Sequence, residues 1–141
     1  MTEFKLMIDT PIGTAFDGDV VSVTVQASDG RMGILAHKAQ GIVALSPGMI
    51  RLQFADGKVH QGANANGLVV IEENRVHILT EDLLWEEDID VNRQVQSITL
   101  LREQLSHGSD MLHREYVLAT AAMARAAARL KAKGVDIGKY K

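Results

Sequence analysis

The chain has 141 residues, of which 46% are hydrophobic and 23% are charged, a composition typical of one or two small globular domains. The absence of cysteine excludes disulfides, thiol catalysis and zinc–thiolate sites. Residues 1–90 contain 14 acidic and 6 basic side chains, whereas residues 91–141 contain 4 acidic and 9 basic ones, within a formal net charge of −3. An acidic body followed by a basic end indicates either a partner for that end or attraction between the two parts.

Neither secretion nor membrane insertion is indicated by the sequence. The opening MTEFKLMIDTP has no basic region followed by an apolar one, so we expect no signal peptide. The longest uncharged stretches contain Gly, Pro, Ser and Gln, so the sequence predicts no transmembrane helix.

The first 80 residues predict β structure. Val21, Val23 and Val25 alternate with polar residues, which gives a strand one buried face and one wet face. Short apolar segments like this one recur along residues 1–86, and turn residues separate them. The expected turns are Asp17–Gly18, Asp29–Gly30, Asp56–Gly57 and Glu73–Asn74. The pattern predicts an antiparallel β-sandwich or barrel that forms a mainly β N-terminal domain over residues 1–86.

A bend is expected at Pro47–Gly48, between two apolar segments. Proline fixes φ and has no amide donor for a ladder, so it does not fit a central strand position. We expect the glycine to be required by this bend.

After about residue 88 the apolar period changes to that of a helix. Asp90 is a good N-cap for the first helix, which is expected to end near Gly108, while Ser109 or Asp110 is expected to cap the second. The predicted inner stripes are Val91, Val95, Ile98, Leu101 and Leu105, then Leu112, Tyr116, Ala119, Met123, Ala126 and Leu130. Together the helices predict an antiparallel α-helical hairpin over residues 87–141, with a short C-terminal tail.

The hairpin is expected to pack thinly. Alanine occupies eight of the fourteen positions 119–132, so the second helix buries little apolar area per residue. We therefore expect a hairpin that docks weakly on the sandwich and can undock. A hairpin that packs stably on the sandwich is the alternative.

Few residues point to catalysis or metal binding. The chain has no phosphate-binding glycine loop, nucleophile elbow or zinc-protease motif, and its five histidines lack metal-ligand spacing. His60 and His77 are expected to be surface or hydrogen-bonded strand residues. An acidic cluster could bind a hard cation, but it lacks the glycine and spacing of a calcium loop, so a solvated linker is favoured. The cluster comprises Glu81, Asp82, Glu86, Glu87, Asp88 and Asp90.

Two further features bear on partners. Trp85, in the same linker, is expected to anchor one domain to the other. An aromatic content of 4% and an acidic β domain argue against nucleic-acid binding. We predict no catalytic residue, no metal and no nucleic-acid partner.

Four segments together resemble the epsilon subunit of F-type ATP synthases, which is called delta in mitochondria. They are 28-SDGRMGIL-35, 47-PGMIRL-52, 67-GLVVIEENRVHILTED-82 and 88-DIDVNRQ-94, and they follow the family's order without gaps. The resemblance covers most of the chain and implies a β-sandwich followed by two helices. Its departures from the family pattern are compatible either with partners whose surfaces have co-adapted or with a divergent member, such as a sodium-translocating one.

The resemblance implies a non-catalytic rotor subunit of the central stalk, which couples ion flow through the c-ring to ATP synthesis. Expected partners are the gamma subunit, the c-ring and, through the C-terminal helices, the alpha/beta catalytic head. These helices are expected either to lie folded on the sandwich or to extend toward the head and inhibit ATP hydrolysis. The complex would place the chain at the cytoplasmic side of the membrane, with membrane contact only through the complex.

The resemblance also implies that ATP could bind the folded hairpin as a regulatory ligand, although no cofactor is required. In the family's ATP-binding members an I/L-D-x-x-R-A signature contributes to the site, together with arginines on the last helix. Here Ile89, Asp90 and Arg93 match the signature, and Arg125 and Arg129 have the matching spacing on the last helix. Gln94 replaces the alanine and Leu100 replaces an expected arginine. A structural role for Asp90 as a helix cap, with arginines that face solvent or partners, is the alternative.

A second departure falls on the segment that touches gamma and the c-ring in the family. The proline-flanked His-Ala-Pro common there is absent around His37 and Lys38, and Arg31 replaces a carboxylate. The resemblance places Arg31, Met32, His37 and Lys38 at this partner interface. Two other functions stay open: a free-standing β-sandwich adaptor module with a mobile helical arm, and a small-ligand enzyme that uses the acidic cluster.

Overall fold

A computed structural model describes residues 2–106 and 112–135. Its strands are β1 (Phe4–Thr10), β2 (Gly13–Val20), β3 (Ser22–Ala27), β4 (Gly30–Leu35), β5 (Gly41–Leu45), β6 (Gly48–Gln53), β7 (Val59–Asn64), β8 (Gly67–Glu72), β9 (Arg75–Thr80) and β10 (Leu83–Trp85). A 3₁₀ turn (Glu86–Asp88) leads to α1 (Val91–Ser106) and α2 (His113–Ala132). No helix in these ranges is long and apolar enough to cross a membrane.

The strands form two layers, as the alternating pattern predicted. The first layer has the order β10-β7-β6-β3-β4 and the second the order β5-β8-β9-β1-β2. A single residue pair, Ala27 with Leu45, joins them. Neighbouring strands are antiparallel except β1 and β9, which are parallel and which the sequence pattern did not reveal.

Side chains from both layers meet in one core. Val23 and Val25 of β3, predicted on a buried face, are fully buried there beside Ile50, Leu52 and their neighbours. Burying a side chain of this size contributes about 1.5–3 kcal/mol. The core thus fixes which face of each strand points outward.

Three of the four expected turns are present. Gly30 and Gly57 adopt positive φ values of 140° and 88°, and Asn74 has φ 59°, which matches the turn chemistry expected of them. The prediction of a turn at Asp17–Gly18 is wrong, because both residues lie within β2 and pair with β1. The turn before β2 lies instead between Thr10 and Gly13.

The bend before β6 is confirmed, but its glycine serves another purpose. Gly48 has no positive φ and is the first residue of β6. A Cβ at this position would lie 2.5 Å from Cβ of Gln26. Gly48 is therefore required by the close approach of two strands rather than by the conformation of the bend.

The two helices pack on each other and α2 also packs on the first layer. Ile98, Ala126 and Leu130 are buried between the helices, as the predicted stripes require. Leu112 and Tyr116, predicted on the inner stripe, are exposed, because the buried positions of α2 begin only at Ala119.

Some expectations for this part fall outside the described residues. Gly108, Ser109 and Asp110 are among them, as is the predicted tail after Val135. The described part of α2 has Leu112 at its N-cap, which makes no side-chain capping bond. The strands end at Trp85, close to the predicted boundary between residues 1–86 and 87–141.

Candidate functional site

Asp90 caps the first helix. Its Oδ1 accepts a hydrogen bond from the backbone amide of Arg93 at 3.2 Å, and its carbonyl accepts one from the amide of Gln94 at 3.1 Å. Such a cap contributes about 1 kcal/mol to helix stability. Ile89, the residue before it, is buried against Ala63, Ala128 and Ala132. Asp90 and Ile89 therefore have structural roles, whether or not a ligand binds nearby.

The five predicted nucleotide-binding residues do not form one group. Arg125 and Arg129 line a cleft of about 360 Å³ between α1 and α2, whereas Ile89, Asp90 and Arg93 do not. Leu100, at the position where an arginine was expected, also lines this cleft. The cleft presents two guanidinium groups from one helix, with polar side chains from the other: Gln94, Ser97 and Gln104.

Arg129 is already engaged within the chain. Its Nη2 donates to Oδ2 of Asp82 at 2.5 Å, and its Nη1 donates to Oε1 of Gln94 at 3.4 Å. Gln94 is buried, and sequence reasoning noted it only as a mismatch to the signature. Its position four residues before Ile98 placed it on the buried face of α1, which was the signal available.

The acidic cluster is divided among several partners. Asp82 pairs with Arg129, Glu87 with His60 at 3.0 Å, and Asp90 with the start of α1. Hydrogen bonds, first from the backbone and then from His60, hold the pKa of Glu87 below its ordinary value. Among the described residues, no group of three or more His, Cys, Asp or Glu side chains could hold a metal ion.

Trp85 belongs to a strand rather than to a linker. It is the last residue of β10 and its ring stacks on His60 of β7, with centroids 3.9 Å apart. It also packs against the main core. Trp85 thus holds β10 on its own sandwich, so its predicted place in a linker is wrong, while its role as an anchor between the two domains stays a prediction.

Helix α2 packs on the part of the first layer's outward face that β6 and β7 form. Ala128 and Ala132 contact Ala63, with Met49 and Leu84 packed at the edge. The side-chain amide of Gln61 donates to the carbonyl of Ala132 at 3.1 Å, and Nζ of Lys133 donates to the carbonyl of Glu86 at 2.9 Å. The hairpin is therefore docked, through small side chains and a few polar contacts.

The outward face of the second layer has no such cover within the described part of the chain. We name it the open face. Strand pairing places its outward residues in two rows. The rows are Ala44, Leu68, Leu79 and Asp9, then Ile42, Val70, His77 and Met7. Ile42 is 69% exposed and Leu68 44% exposed, so apolar area faces water.

Sequence reasoning did not identify the open face. The signal was the continuous apolar run 67-GLVVI-71, since a strand that is apolar on both sides is usually covered on both. At its edge the face deepens into an open, mainly apolar groove of about 420 Å³ beside Pro11, Leu68 and Leu79. Ile12, in the adjacent turn, is almost fully exposed.

A polar network lies within the open face. Thr14 donates to Oδ1 of Asp9 at 2.7 Å, and Nε2 of His77 lies 2.7 Å from Oδ2. The hydrogen bond from Thr14, followed by that from His77, holds the pKa of Asp9 below its ordinary value. His60 and His77 are thus hydrogen-bonded strand residues, as expected.

The four predicted partner residues lie on β4 and the turn after it. Arg31 donates to the carbonyl of Met49 at 2.6 Å, and burial, followed by the charge of Arg51, lowers its pKa. Met32 packs against the main core. His37 and Lys38 are exposed, and His37 adopts a positive φ of 66°. The structure thus brings three of the four to the surface around one edge strand.

Fold and surfaces together define a β-sandwich with its own helical hairpin docked on one face and the other face open. The family model for the beta-sandwich domain of the ATP synthase delta/epsilon chain matches residues 3–86. The ATP synthase epsilon chain of Ruminiclostridium cellulolyticum is 36% identical over 132 residues, which cover 94% of this chain and 96% of that protein. The chain belongs to the epsilon-chain family of F-type ATP synthases.

Two further comparisons extend this result. The sodium ion specific ATP synthase epsilon chain of Acetobacterium woodii is 32% identical over 90 residues, covering 64% of this chain and 68% of that protein. A chain in the cryo-EM structure of the Euglena gracilis mitochondrial ATP synthase (OSCP/F1/c-ring) has a TM-score of 0.78 at 18% identity. That match covers 90% of this chain and 79% of the other, and it shows a shared fold.

Proposed function

We propose that the chain is a non-catalytic central-stalk subunit of its ATP synthase and that the open face binds the gamma subunit. The observation that carries this proposal is the contrast between the two layers. One outward face carries the chain's own helix over β6 and β7, whereas the other exposes Ile42, Leu68 and Leu79 without any such helix in the described part of the chain. Contiguous exposed apolar area of this kind marks protein–protein interfaces.

The groove at the edge of the open face supports the same proposal. Protein–protein interfaces often include an apolar side chain that fills a pocket on the partner. The groove of about 420 Å³ beside Pro11, Leu68 and Leu79 offers such a pocket. We expect an apolar side chain of gamma to occupy it, with Asp9 at its polar margin.

The edge of the first layer suits a second partner. Arg31, His37 and Lys38 are exposed around β4 and the following turn. We assign these residues to contact with the c-ring, and this contact would place the chain beside the membrane on its cytoplasmic side. Membrane contact would then come only through the complex, in which the chain turns with the rotor and couples ion flow to synthesis.

The hairpin is assigned a regulatory role. Its interface with the sandwich consists mainly of alanines and a few polar contacts, so the docked state gains little from apolar burial. A docked and a released state that differ by a few kcal/mol can be shifted by partners. We propose that the released helices contact the alpha/beta head and restrain ATP hydrolysis.

A matched pair of substitutions tests the interface with gamma. Leu68→Lys places a charge on the open face, whereas Val59→Lys places one on β7, away from it. The two side chains are similarly exposed, at 44% and 42%. We expect Leu68→Lys to weaken binding to purified gamma at least about tenfold, measured by calorimetry, because a desolvated charge is costly in an apolar interface. Val59→Lys should bind as the unchanged chain does.

Equal binding by both variants would contradict the assignment of the open face. If the unchanged chain itself showed no affinity for gamma, a free-standing adaptor module with a helical arm would be the better account. Melting curves of both variants provide the check that each is folded.

A further inference from the structure

Arg129 lies where three segments of the chain meet. The arginine belongs to α2, Asp82 lies between β9 and β10, and Gln94 belongs to α1. Both terminal nitrogens of the guanidinium are used, one for the carboxylate and one for the side-chain carbonyl of Gln94. We name Asp82, Gln94 and Arg129 the clasp, because they connect the sandwich to both helices at one point.

Burial increases the effect of these contacts. The side chains of Arg129 and Asp82 are 25% and 44% exposed, and Gln94 as a residue is only 5% exposed. A partly buried, charge-assisted hydrogen bond is stronger than an exposed one. The buried carbonyl of Gln94 would lose its donor if Arg129 moved away, and an unsatisfied buried polar atom is costly.

The clasp also differs in kind from the rest of the docking interface. Ala128 and Ala132 contribute apolar contact, while Gln61 and Lys133 bond to backbone carbonyls. Within residues 2–106 and 112–135, the pair of Arg129 with Asp82 is the only ion pair that joins α2 to the strands or their loops. Removing one negative charge at Asp82 should therefore act selectively on docking.

We propose that the clasp keeps the hairpin docked on the sandwich without any bound ligand. The carboxylate of Asp82 gives Arg129 an anionic partner from within the chain, in place of a dissolved anion that the cationic cleft could bind. The side-chain carbonyl of Gln94 accepts from the other terminal nitrogen of the guanidinium and so fixes its orientation. This inference deepens the regulatory part of the proposed function, on which its physiological meaning rests. The clasp would set how readily the hairpin is released.

Hydrogen exchange of the full chain, with no ligand added, tests the clasp. Amides of α2 between Ala119 and Ala132 exchange after undocking, since an alanine-rich hairpin freed from the sandwich is only marginally stable. We expect Asp82→Asn to accelerate their exchange about five- to tenfold. Asp88→Asn is the matched control, because Asp88 is exposed and makes no side-chain hydrogen bond or ion pair with any described residue. It should leave exchange unchanged.

The dependence of hydrogen exchange on ionic strength provides a second test of the clasp. Raising the ionic strength from about 0.1 M to 1 M shortens the Debye length from about 10 Å to 3 Å. It should accelerate exchange of α2 in the unchanged chain and have little further effect in Asp82→Asn. Amides of β1 and β9 act as an internal reference for the sandwich and should stay protected throughout.

Equal α2 exchange in the unchanged chain, Asp82→Asn and Asp88→Asn would overturn the proposal, as would rapid α2 exchange in the unchanged chain without ligand. Because the measurement involves no gamma subunit, its failure would leave the assignment of the open face intact. Conversely, a chain that showed no affinity for gamma could still have the clasp, because all three residues of the clasp belong to this chain.

Discussion

Gly48 shows how a single position can be constrained by a neighbouring strand. A side chain at this residue would collide with Cβ of Gln26, at 2.5 Å, which belongs to the base of that side chain and cannot swing away. We expect Gly48→Val to lower the free energy of unfolding by about 1–3 kcal/mol, the usual cost of overpacking.

Gly33 offers the matched control for this substitution. A Cβ there meets nothing within 4 Å, and its φ is not positive, so Gly33→Val should change stability little. Thermal melts of both variants make the comparison. Equal melting temperatures for the two would show that the contact with Gln26 is easily relieved.

Single-residue features were predictable where their chemistry is local. The cap at Asp90 follows from its side chain and the helical pattern after it. The bond between Arg129 and Asp82 could not be predicted, since 47 positions separate the two residues and only the docking of α2 brings them together. The same holds for the bond between His77 and Asp9, which depends on the parallel pairing of β1 with β9.

At the scale of elements, the predicted nucleotide site can be tested at the cleft between α1 and α2. Arg125 and Arg129 line it, but an incoming phosphate must compete with Asp82 for Arg129. If the prediction is right, titration with MgATP gives saturable heat, with a dissociation constant of about 1 mM because of this competition. Arg125→Ala should abolish the heat, because only one guanidinium would then remain in the cleft.

Arg93 separates two forms of the nucleotide prediction. The backbone amide of Arg93 donates to the side chain of Asp90, and the side chain of Arg93 does not line the cleft. Loss of binding in Arg93→Ala would support the full signature, whereas retained binding would restrict the site to the cleft between α1 and α2. No heat up to millimolar MgATP would contradict the prediction and leave Asp90 with its capping role alone.

The elements themselves were predictable to different degrees. Alternation predicted the strands with one buried face, such as β3, and the helical period predicted α1 and α2. The wrong turn at Asp17–Gly18 has a physical reason: pairing with β1 extends through both residues, so the ladder overrides a local turn preference. The exposure of Leu112 and Tyr116 depends on how far the sandwich reaches along α2, which no local pattern contains.

At the scale of the whole molecule, contacts within the chain explain part of the uneven charge, an acidic body followed by a basic end. Arg129 and Lys133 from the basic end contact Asp82 and the carbonyl of Glu86 in the acidic body. Attraction between the two parts therefore exists, as one of the two initial interpretations required. Arg114 and Arg125 of α2 form no ion pair with any residue that the structure describes, and under our proposal they are available to a partner or a ligand.

The outward faces of the two layers have different roles in our proposal. One outward face receives the chain's own helix, and the other stays open for the gamma subunit under our proposal. Removing the helices should therefore leave the open face intact, while uncovering only a small patch around Met49, Ala63 and Leu84. This predicts that residues 1–87 fold and bind gamma without the hairpin.

The most direct test of the central claim is the rate of ATP hydrolysis by a reconstituted synthase that contains either the full chain or residues 1–87. Equal incorporation of both forms, and a cooperative melt of the shorter one, are the controls. We predict that the truncated form raises hydrolysis by about fivefold or more, a usual size for the coupling between a regulatory and a catalytic site. Unchanged hydrolysis at full incorporation would contradict the regulatory role of the hairpin, and an unfolded shorter form would contradict the division into two domains.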